Sequence, residues 1–297
     1  MSDNGAGLSA LLAVAGAVKT IPEIEERLGS ILFVANVGEE GEGNLSGMRY
    51  LCRQSPHAPR IHSFLVLDGP NVDHITTRAL ASRRYEIIFT GPGGHSWSDY
   101  GIANPIHALA RAVTVFSEQQ AVIQNSPRSS YNFGVMEGGA SINSIPTEAR
   151  AKVDLRSESG TRLEELVHLL GACVERALDV ENERSVGRQA AGRGAAAGRL
   201  VAKIREIGSR PGGELPDDSA FLKTLRAVDT HLGIRAQVDC ASTDANIPLS
   251  LGLPAMSIGA GGVGGGAHSS TEWFHPEGRH IGLQRIVLTL ALAAAAL

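Results

Sequence analysis

Five side chains in this sequence have the types and placing for metal-assisted hydrolysis: Asp3, the adjacent pair Glu39-Glu40, Asp68 and His268. Each falls beside the end of an expected strand, which is where open α/β sheets hold their chemistry. Hard carboxylate oxygens together with an imidazole suit a divalent cation such as zinc. A carboxylate outside the ligand set suits a general base, so two neighbouring glutamates can divide the roles of ligand and base. Burying several like charges without a cation is costly, so their convergence would itself call for a metal. Spacing alone does not bring them together. Taken singly, Glu39-Glu40 reads as a solvated acidic loop and Asp3 as a helix cap.

The elements that must position these groups alternate in kind. Asp3 opens a buried helix that starts near Asn4 and holds the apolar run Leu8 to Val18, and Pro22 to Leu28 continues a helical surface. The apolar run Ile31 to Val37 predicts a strand ending at Gly38, which presents Glu39-Glu40 at its C-terminal edge. Gly43 to Leu51 predicts a turn into a helix with Asn44 as N-cap, and Arg60 to Leu67 a second strand ending at Asp68-Gly69-Pro70. Helix, strand, helix, strand argues for a mostly parallel sheet.

From about Leu80 the pattern changes. A strand at Arg84 to Thr90, the loop Gly91 to His95, a helix at Asn104 to Phe116 and antiparallel strands at Tyr131 to Met136 and Glu148 to Leu155 follow in order. A helix from Thr161 to about Leu178, an Ala/Gly/Arg-rich loop at Val186 to Gly198 and a strand at Leu200 to Ile207 complete a β-α-β-β-α-β unit. After a return linker at Arg210 to Gly213 come a helix at Ser219 to Leu232, strands at Arg235 to Asp239 and Ala255 to Ile258, a glycine-rich loop leading to His268, and an apolar helix at Ile281 to Leu297. The expected fold is therefore α/β: a mostly parallel-sheet domain made of residues 1–80 and 209–297, interrupted by an inserted α+β domain at residues 81–208.

A chain of 297 residues, 43% hydrophobic, can bury the cores of two domains. Its net charge of -4 gives no electrostatic reason to bind nucleic acid or an anionic membrane; small molecules or peptides fit better. Cys52, Cys173 and Cys240 are dispersed without CxxC spacing, which indicates a reducing compartment and no thiolate metal site. Leu8 to Val18 lacks a basic leader and is too short to span a bilayer, so the expected location is the cytoplasm. No Gly-Lys-Ser/Thr follows the glycines at 259–266, which counts against a phosphate cradle.

The stretches SDNGAG, VGEEGEGN, LDGP, GPGGHSW, INSIPTEARAKVDLRS, STDAN and GAHSSTEW, in that order and spread over essentially the whole chain, resemble the M20 family of metallopeptidases and related amidohydrolases, in its peptidase T or tripeptidase-like branch. The resemblance implies a two-zinc catalytic domain interrupted by a lid that forms homodimers. It implies that Asp3 bridges the metals, that Glu40, Asp68 and His268 are ligands, and that Glu39 is the general base. His95 would be the lid histidine that acts in a partner subunit and stabilises the developing oxyanion; Asn143 and Arg210 would contact substrate. Thr243-Asp244 would support the site from behind the ligands. An aspartate at position 68 goes with aminopeptidases and dipeptidases in similar enzymes. The implied activity is hydrolysis of amide bonds in short peptides by a metal-activated water, with no nucleic-acid or membrane partner. The alternatives are an N-acyl amino acid deacylase and a non-catalytic remnant that only dimerises or binds. Similar proteins carry a His-x-Asp strand well before the bridging aspartate. No counterpart is found among the histidines here, so the expectation is a chain lacking that N-terminal portion, with one tight zinc site formed by Asp3, Glu40 and His268.

Overall fold

The computed structural model describes residues 2–20, 31–119, 127–189 and 198–294. The chain divides into two compact units, Met1–Leu80 with Pro211–Leu297, and Ala81–Arg210. The first segment of the outer unit runs α1 (Gly5–Thr20), α2 (Ser46–Arg53), β1 (Phe64–Leu67) and β2 (His74–Ala79). The inserted unit follows as β3 (Ala81–Thr90), β4 (Gly94–His95), α3 (Pro105–Ser117), β5 (Ser129–Gly138), β6 (Ser144–Ile145), β7 (Glu148–Ser157), α4 (Gly160–Gln189) and β8 (Val201–Arg210). The outer unit resumes with β9 (Gly213–Glu214), α5 (Ala220–Leu232), β10 (Gln237–Ala241), α6 (Asn246–Ser250), β11 (Ala255–Ile258), β12 (Val263–Gly265), β13 (Trp273–His275) and α7 (Arg279–Ala294).

In the outer unit the sheet order is β1-β11-β2-β10, with β9 beside β2. β1 lies parallel to β11 and β2 parallel to β10, while β11 and β9 meet β2 antiparallel. Ala255–Ile258 is buried at every residue, as a strand covered on both faces must be. Ala6, Ala10 and Val14, four residues apart, give α1 its buried face. Beneath the sheet, Arg285 of α7 is fully buried and makes a bidentate pair with Asp229 of α5, at 2.6 and 2.8 Å. A guanidinium is tolerated there because the carboxylate pairs with it, and Nη1 also donates to the His74 carbonyl at 3.5 Å.

The inserted unit has a four-stranded antiparallel sheet, β5-β7-β3-β8, with α3 and α4 packed on it. In β7, Ala149, Ala151, Val153, Leu155 and Ser157 are buried in strict alternation. Pro105 starts α3 at a position that needs no N–H donor, and the Asn104 side chain accepts the Ile106 N–H at 2.9 Å. At the other end of that helix, buried Phe116 meets Tyr131 and Phe133 edge-on, with centroids 5.1 and 5.9 Å away.

Several expected elements differ. Ile31 to Val37 forms no strand: no strand pairs with it among the described residues, and a strand exists only by virtue of a neighbour. A cavity of about 890 Å³ is walled by this segment and by β1, with Phe33, Val34, Met48, Phe64 and Leu65 in its lining. Asn44 does not cap α2. It and Leu45 both take left-handed backbone angles, and Leu45 holds the cap position. α4 continues to Gln189, past the expected end near Leu178 and into the Ala/Gly/Arg-rich stretch, much of which lies outside the described residues. β8 pairs with β3 as far as Arg210, so the second boundary falls after Arg210 rather than after residue 208. The helical surface expected at Pro22 to Leu28 lies outside the described residues. Among those residues no helix is long and apolar enough to cross a membrane.

Candidate metal centre and active site

Asp3 stands just before α1, and Asn4 caps that helix in its place: the Asn4 side-chain oxygen, Oδ1, accepts the Gly7 N–H at 3.1 Å. The same oxygen accepts the Gly69 N–H at 3.2 Å, and the Asn4 amide donates to the Leu67 carbonyl at 2.8 Å. One side chain thus ties the residue after Asp3 to the backbone on both sides of Asp68, and Asp3 keeps its carboxylate for other contacts. The Asp3–Asn4 peptide is cis.

Glu39-Glu40 is held by a closed glycine loop rather than by a strand end. Gly38 has φ +76° and lies against Gly43, and a Cβ on either would overlap the loop itself. Leu45 N–H donates to the Gly38 carbonyl at 2.8 Å and Gly43 N–H to the Glu40 carbonyl at 2.9 Å. In the sequence GEEGEGN the first and third glycines therefore allow the two glutamates to project from a tight turn.

His268 lies in the loop joining the antiparallel pair β12 and β13, with φ 62°. A non-glycine residue in this region is uncommon and marks a position held by its surroundings. Here the Ser269 hydroxyl and N–H both donate to the Gly266 carbonyl, at 2.7 and 3.1 Å. The same loop carries Glu272, whose carboxylate accepts the Asp3 N–H at 2.7 Å and is held below its ordinary pKa by that bond. The hairpin is thereby fastened to Asp3.

These segments bring Asp3, Glu40 and His268 together, one ligand atom from each lying within 4.8 Å of the others. The imidazole stands between the carboxylates, Nε2 3.4 Å from Asp3 and Nδ1 3.7 Å from Glu40. Donors at tetrahedral positions about 2.0–2.2 Å from zinc stand roughly 3.3–3.6 Å apart, and three protein donors are the number a catalytic zinc keeps. In donor type and number the cluster fits that cation, the imidazole offering it one nitrogen, and the three ligand atoms already lie within 4.8 Å of one another. Asp68 is not in the three-residue cluster but feels it. Burial, then the like charges of Asp3, Glu39, Asp244 and Glu40, push its carboxyl up to about 7. Such mutual repulsion among carboxylates is what a bound cation offsets.

Asp244 is buried and accepts the Asn36 amide at 2.9 Å, while Thr243 N–H donates to Asn246 at 2.9 Å. His95 and Asn143 belong to the inserted unit, on the two strands of the β4–β6 pair and its approach. Arg210 ends β8 as the ladder partner of Ser82 and is buried. Asn4 and Glu272 are the positioning residues that sequence reasoning passed over. Both stand inside quoted motifs, and the cap that Asn4 makes on Gly7 is a local signal, but the bonds from Asn4 to Leu67 and Gly69 and from Asp3 to Glu272 join residues far apart in the chain and leave no local pattern to read.

Residues 80–181 match the model of the peptidase dimerisation domain of the M20 family. No curated protein matches the chain by sequence. Among solved structures, the aminopeptidase PepT of Bacillus cereus superposes with a TM-score of 0.71 at 19% identity, covering 98% of this chain and 70% of that one. A tripeptidase of Staphylococcus aureus gives 0.70 at 20% identity over 97% and 70%. The aminobenzoyl-glutamate utilization protein of Klebsiella pneumoniae gives 0.60 at 18% identity over 97% and 66%.

Proposed function

We propose that this chain, an M20 peptidase by its dimerisation domain and its fold, is a zinc-dependent hydrolase of amide bonds in short peptides, of the tripeptidase or aminopeptidase kind. The observation that carries the reading is the meeting of Asp3, Glu40 and His268, three chemically apt residues delivered by separate segments of the chain. These three would hold the tight zinc, with Asp68 beside them. Bound there, zinc supplies a Lewis acid for the scissile carbonyl and acidifies water. Glu39, half-buried beside a ligand, takes a proton from the attacking water and delivers it to the leaving amine. Acting in a partner subunit, His95 would donate a hydrogen bond to the carbonyl oxygen as negative charge develops on it, with Asn143 and Arg210 as substrate contacts. A homodimer through the inserted unit is supported by the edge strand β5, which leaves Val135 and Met136 exposed. The cysteines are free thiols, in keeping with the cytoplasm.

Turnover of a tripeptide panel and, in parallel, of N-acyl amino acids tests the reading. Zinc-dependent cleavage of tripeptides is expected, with Glu39→Gln lowering kcat by about 10²–10⁴-fold. Preference for the acyl substrates would reassign the chain as a deacylase, and no turnover of either would reduce it to a dimerising module. Metal analysis tests the ligands. His268→Ala should weaken zinc by more than the roughly 10–100-fold typical of losing an outer-shell partner, and Asp68→Ala should weaken it far less. Two equally tight zinc ions per chain, or the reverse order of the two variants, would refute the assignment.

A further inference from the structure

His95 is exposed, yet its ring is not free to choose how it presents itself. β4 and β6 form a two-stranded antiparallel ladder in which His95 is the partner of Ser144, and the next amide, Ser96 N–H, donates to the Asn143 carbonyl at 3.0 Å. His95 and Asn143 are therefore neighbours across one short ladder. Immediately after His95 the chain turns back on itself. Asp99 N–H donates to the His95 carbonyl at 3.0 Å, and the Asp99 carboxylate accepts the His95 N–H at 2.7 Å. Gly94 leaves room for this, since a Cβ there would come within 2.9 Å of the Asp99 Cβ.

The turn has a chemical result. It aims two backbone amides, Trp97 N–H and Ser98 N–H, at the same ring nitrogen, His95 Nδ1, at 3.2 and 3.3 Å. A nitrogen that accepts an N–H offers a lone pair, so the neutral ring carries its proton on Nε2. Across the ladder the Ser141 hydroxyl donates to the side-chain amide oxygen of Asn143, Oδ1, at 2.6 Å, which leaves the NH₂ as that side chain's remaining polar group. The acceptor atoms of both side chains are engaged by their own loops, the His95 lone pair fully and the Asn143 oxygen through one of its two lone pairs. The donors left for a ligand are His95 Nε2–H and the Asn143 NH₂, among the exposed side chains of Trp97, Tyr100 and Ile142.

We propose that Asp99 and Ser141 are positioning residues that preset His95 and Asn143 as a two-donor platform for an acceptor oxygen. His95 is locked in its Nε2–H tautomer by the Asp99 turn, and Asn143 presents its NH₂. The platform favours a carbonyl, carboxylate or oxyanion over a ligand's donor group. The identity of that acceptor as the peptide carbonyl rests on the function proposed above; the locked geometry does not. Preorganised donors of this kind need no reorientation as charge develops.

Ring ¹⁵N spectra of the histidine-labelled full chain, under conditions where the imidazole is neutral and with the His95 signals identified by their loss in His95→Gln, test the lock without any substrate. The expected wild-type result is a single Nε2–H tautomer together with slowed amide exchange at Trp97 and Ser98. Asp99→Ala should shift the ring signals toward tautomer averaging and speed those two amides by roughly 10-fold or more, whereas Asp99→Asn, which keeps an acceptor oxygen for the His95 N–H, should stay near wild type. If the chain is active, Asp99→Ala should lower kcat more than it changes KM. A wild-type ring that is averaged or protonated on Nδ1 overturns the proposal, and so does an Asp99→Ala protein whose ring signals and amide exchange are unchanged. Should that variant fail to fold, the wild-type spectrum alone still decides. An inactive chain with a locked His95 would refute the hydrolase reading and leave the platform standing.

Discussion

The two units solve different problems with the same chain. In the inserted unit the main sheet is made of four strands of ten residues, paired along their length and covered by helices with a regular apolar face. In the outer unit the strands run from two to six residues, and Asp3, Glu40, Asp68 and His268 all stand on turns or loops. Long ladders suit a platform whose job is to hold a surface. Short strands with close-fitting loops suit a place where groups from remote parts of the sequence must meet, because each loop is free to be shaped by its own contacts. The Asp3–Glu40–His268 cluster is thus assembled by tertiary hydrogen bonds such as Asp3 to Glu272, while the His95–Asn143 pair is assembled by a ladder.

That contrast can be broken most directly in the two cores. Asp229→Ala leaves the Arg285 charge buried without its partner and should cost about 3–5 kcal/mol, seen as faster amide exchange in β2 and β10. Phe116→Ala removes the ring around which Tyr131 and Phe133 pack and should cost about 3–5 kcal/mol, seen in β3, β5 and β7. If each substitution loosened both units equally, the division of labour drawn here would not hold. A smaller effect concerns the thiol of α2. Burial pushes the Cys52 pKa up to about 11, with Arg53 opposing and Asp244 adding to the shift. Alkylation of Cys52 at pH 8 should therefore be slower than that of an unstructured thiol by on the order of 10²-fold. Because this pKa is raised on folding, its stabilising contribution is complete below the unfolded value of 9.0 and is lost as pH rises through about 11. An alkylation rate equal to that of the unfolded chain would contradict the burial of α2. The smallest effect is local to α3. Asn104→Ala removes the cap on Ile106 N–H and should cost about 1 kcal/mol, measured by denaturant melts, and a neutral result would mean that Pro105 and packing alone fix the start of that helix.

What could be read from sequence follows the same line. The strand pattern in Glu148 to Leu155, the apolar run Ala255 to Ile258 and the helical spacing in Asn104 to Phe116 are local, and the elements Glu148–Ser157, Ala255–Ile258 and Pro105–Ser117 stand within two residues of them. Ile31 to Val37 has strand composition but no ladder, because the partner is a tertiary fact that composition does not contain. The extension of α4 to Gln189 was hidden by an Ala/Gly/Arg composition that also suits a loop. At the site the residue types were legible, but the 3.4 Å approach of His268 to Asp3 depends on Asn4, Glu272 and the left-handed turn at His268, none of which has a sequence period. Asp99 was equally silent, since a carboxylate four residues after a histidine has a bland reading in any loop.

The way the inserted unit joins its host bears on how such a chain can be rearranged. Ala79 and Gly213, which flank the insertion, are antiparallel ladder partners in β2 and β9, and just inside it Ser82 and Arg210 are partners in β3 and β8. To its host, therefore, the whole inserted unit is nothing more than the connection of a hairpin. A folded insert whose own ends are ladder partners adds little to the cost of closing that connection. With Ala81–Arg210 excised, Leu80, Pro211 and Gly212 would still join Ala79 to Gly213 at an ordinary turn length, and the excised piece would have its own two ends side by side. The junction has the form of a socket, and excision of Ala81–Arg210 is expected to leave the ladder between Ala79 and Gly213 in place.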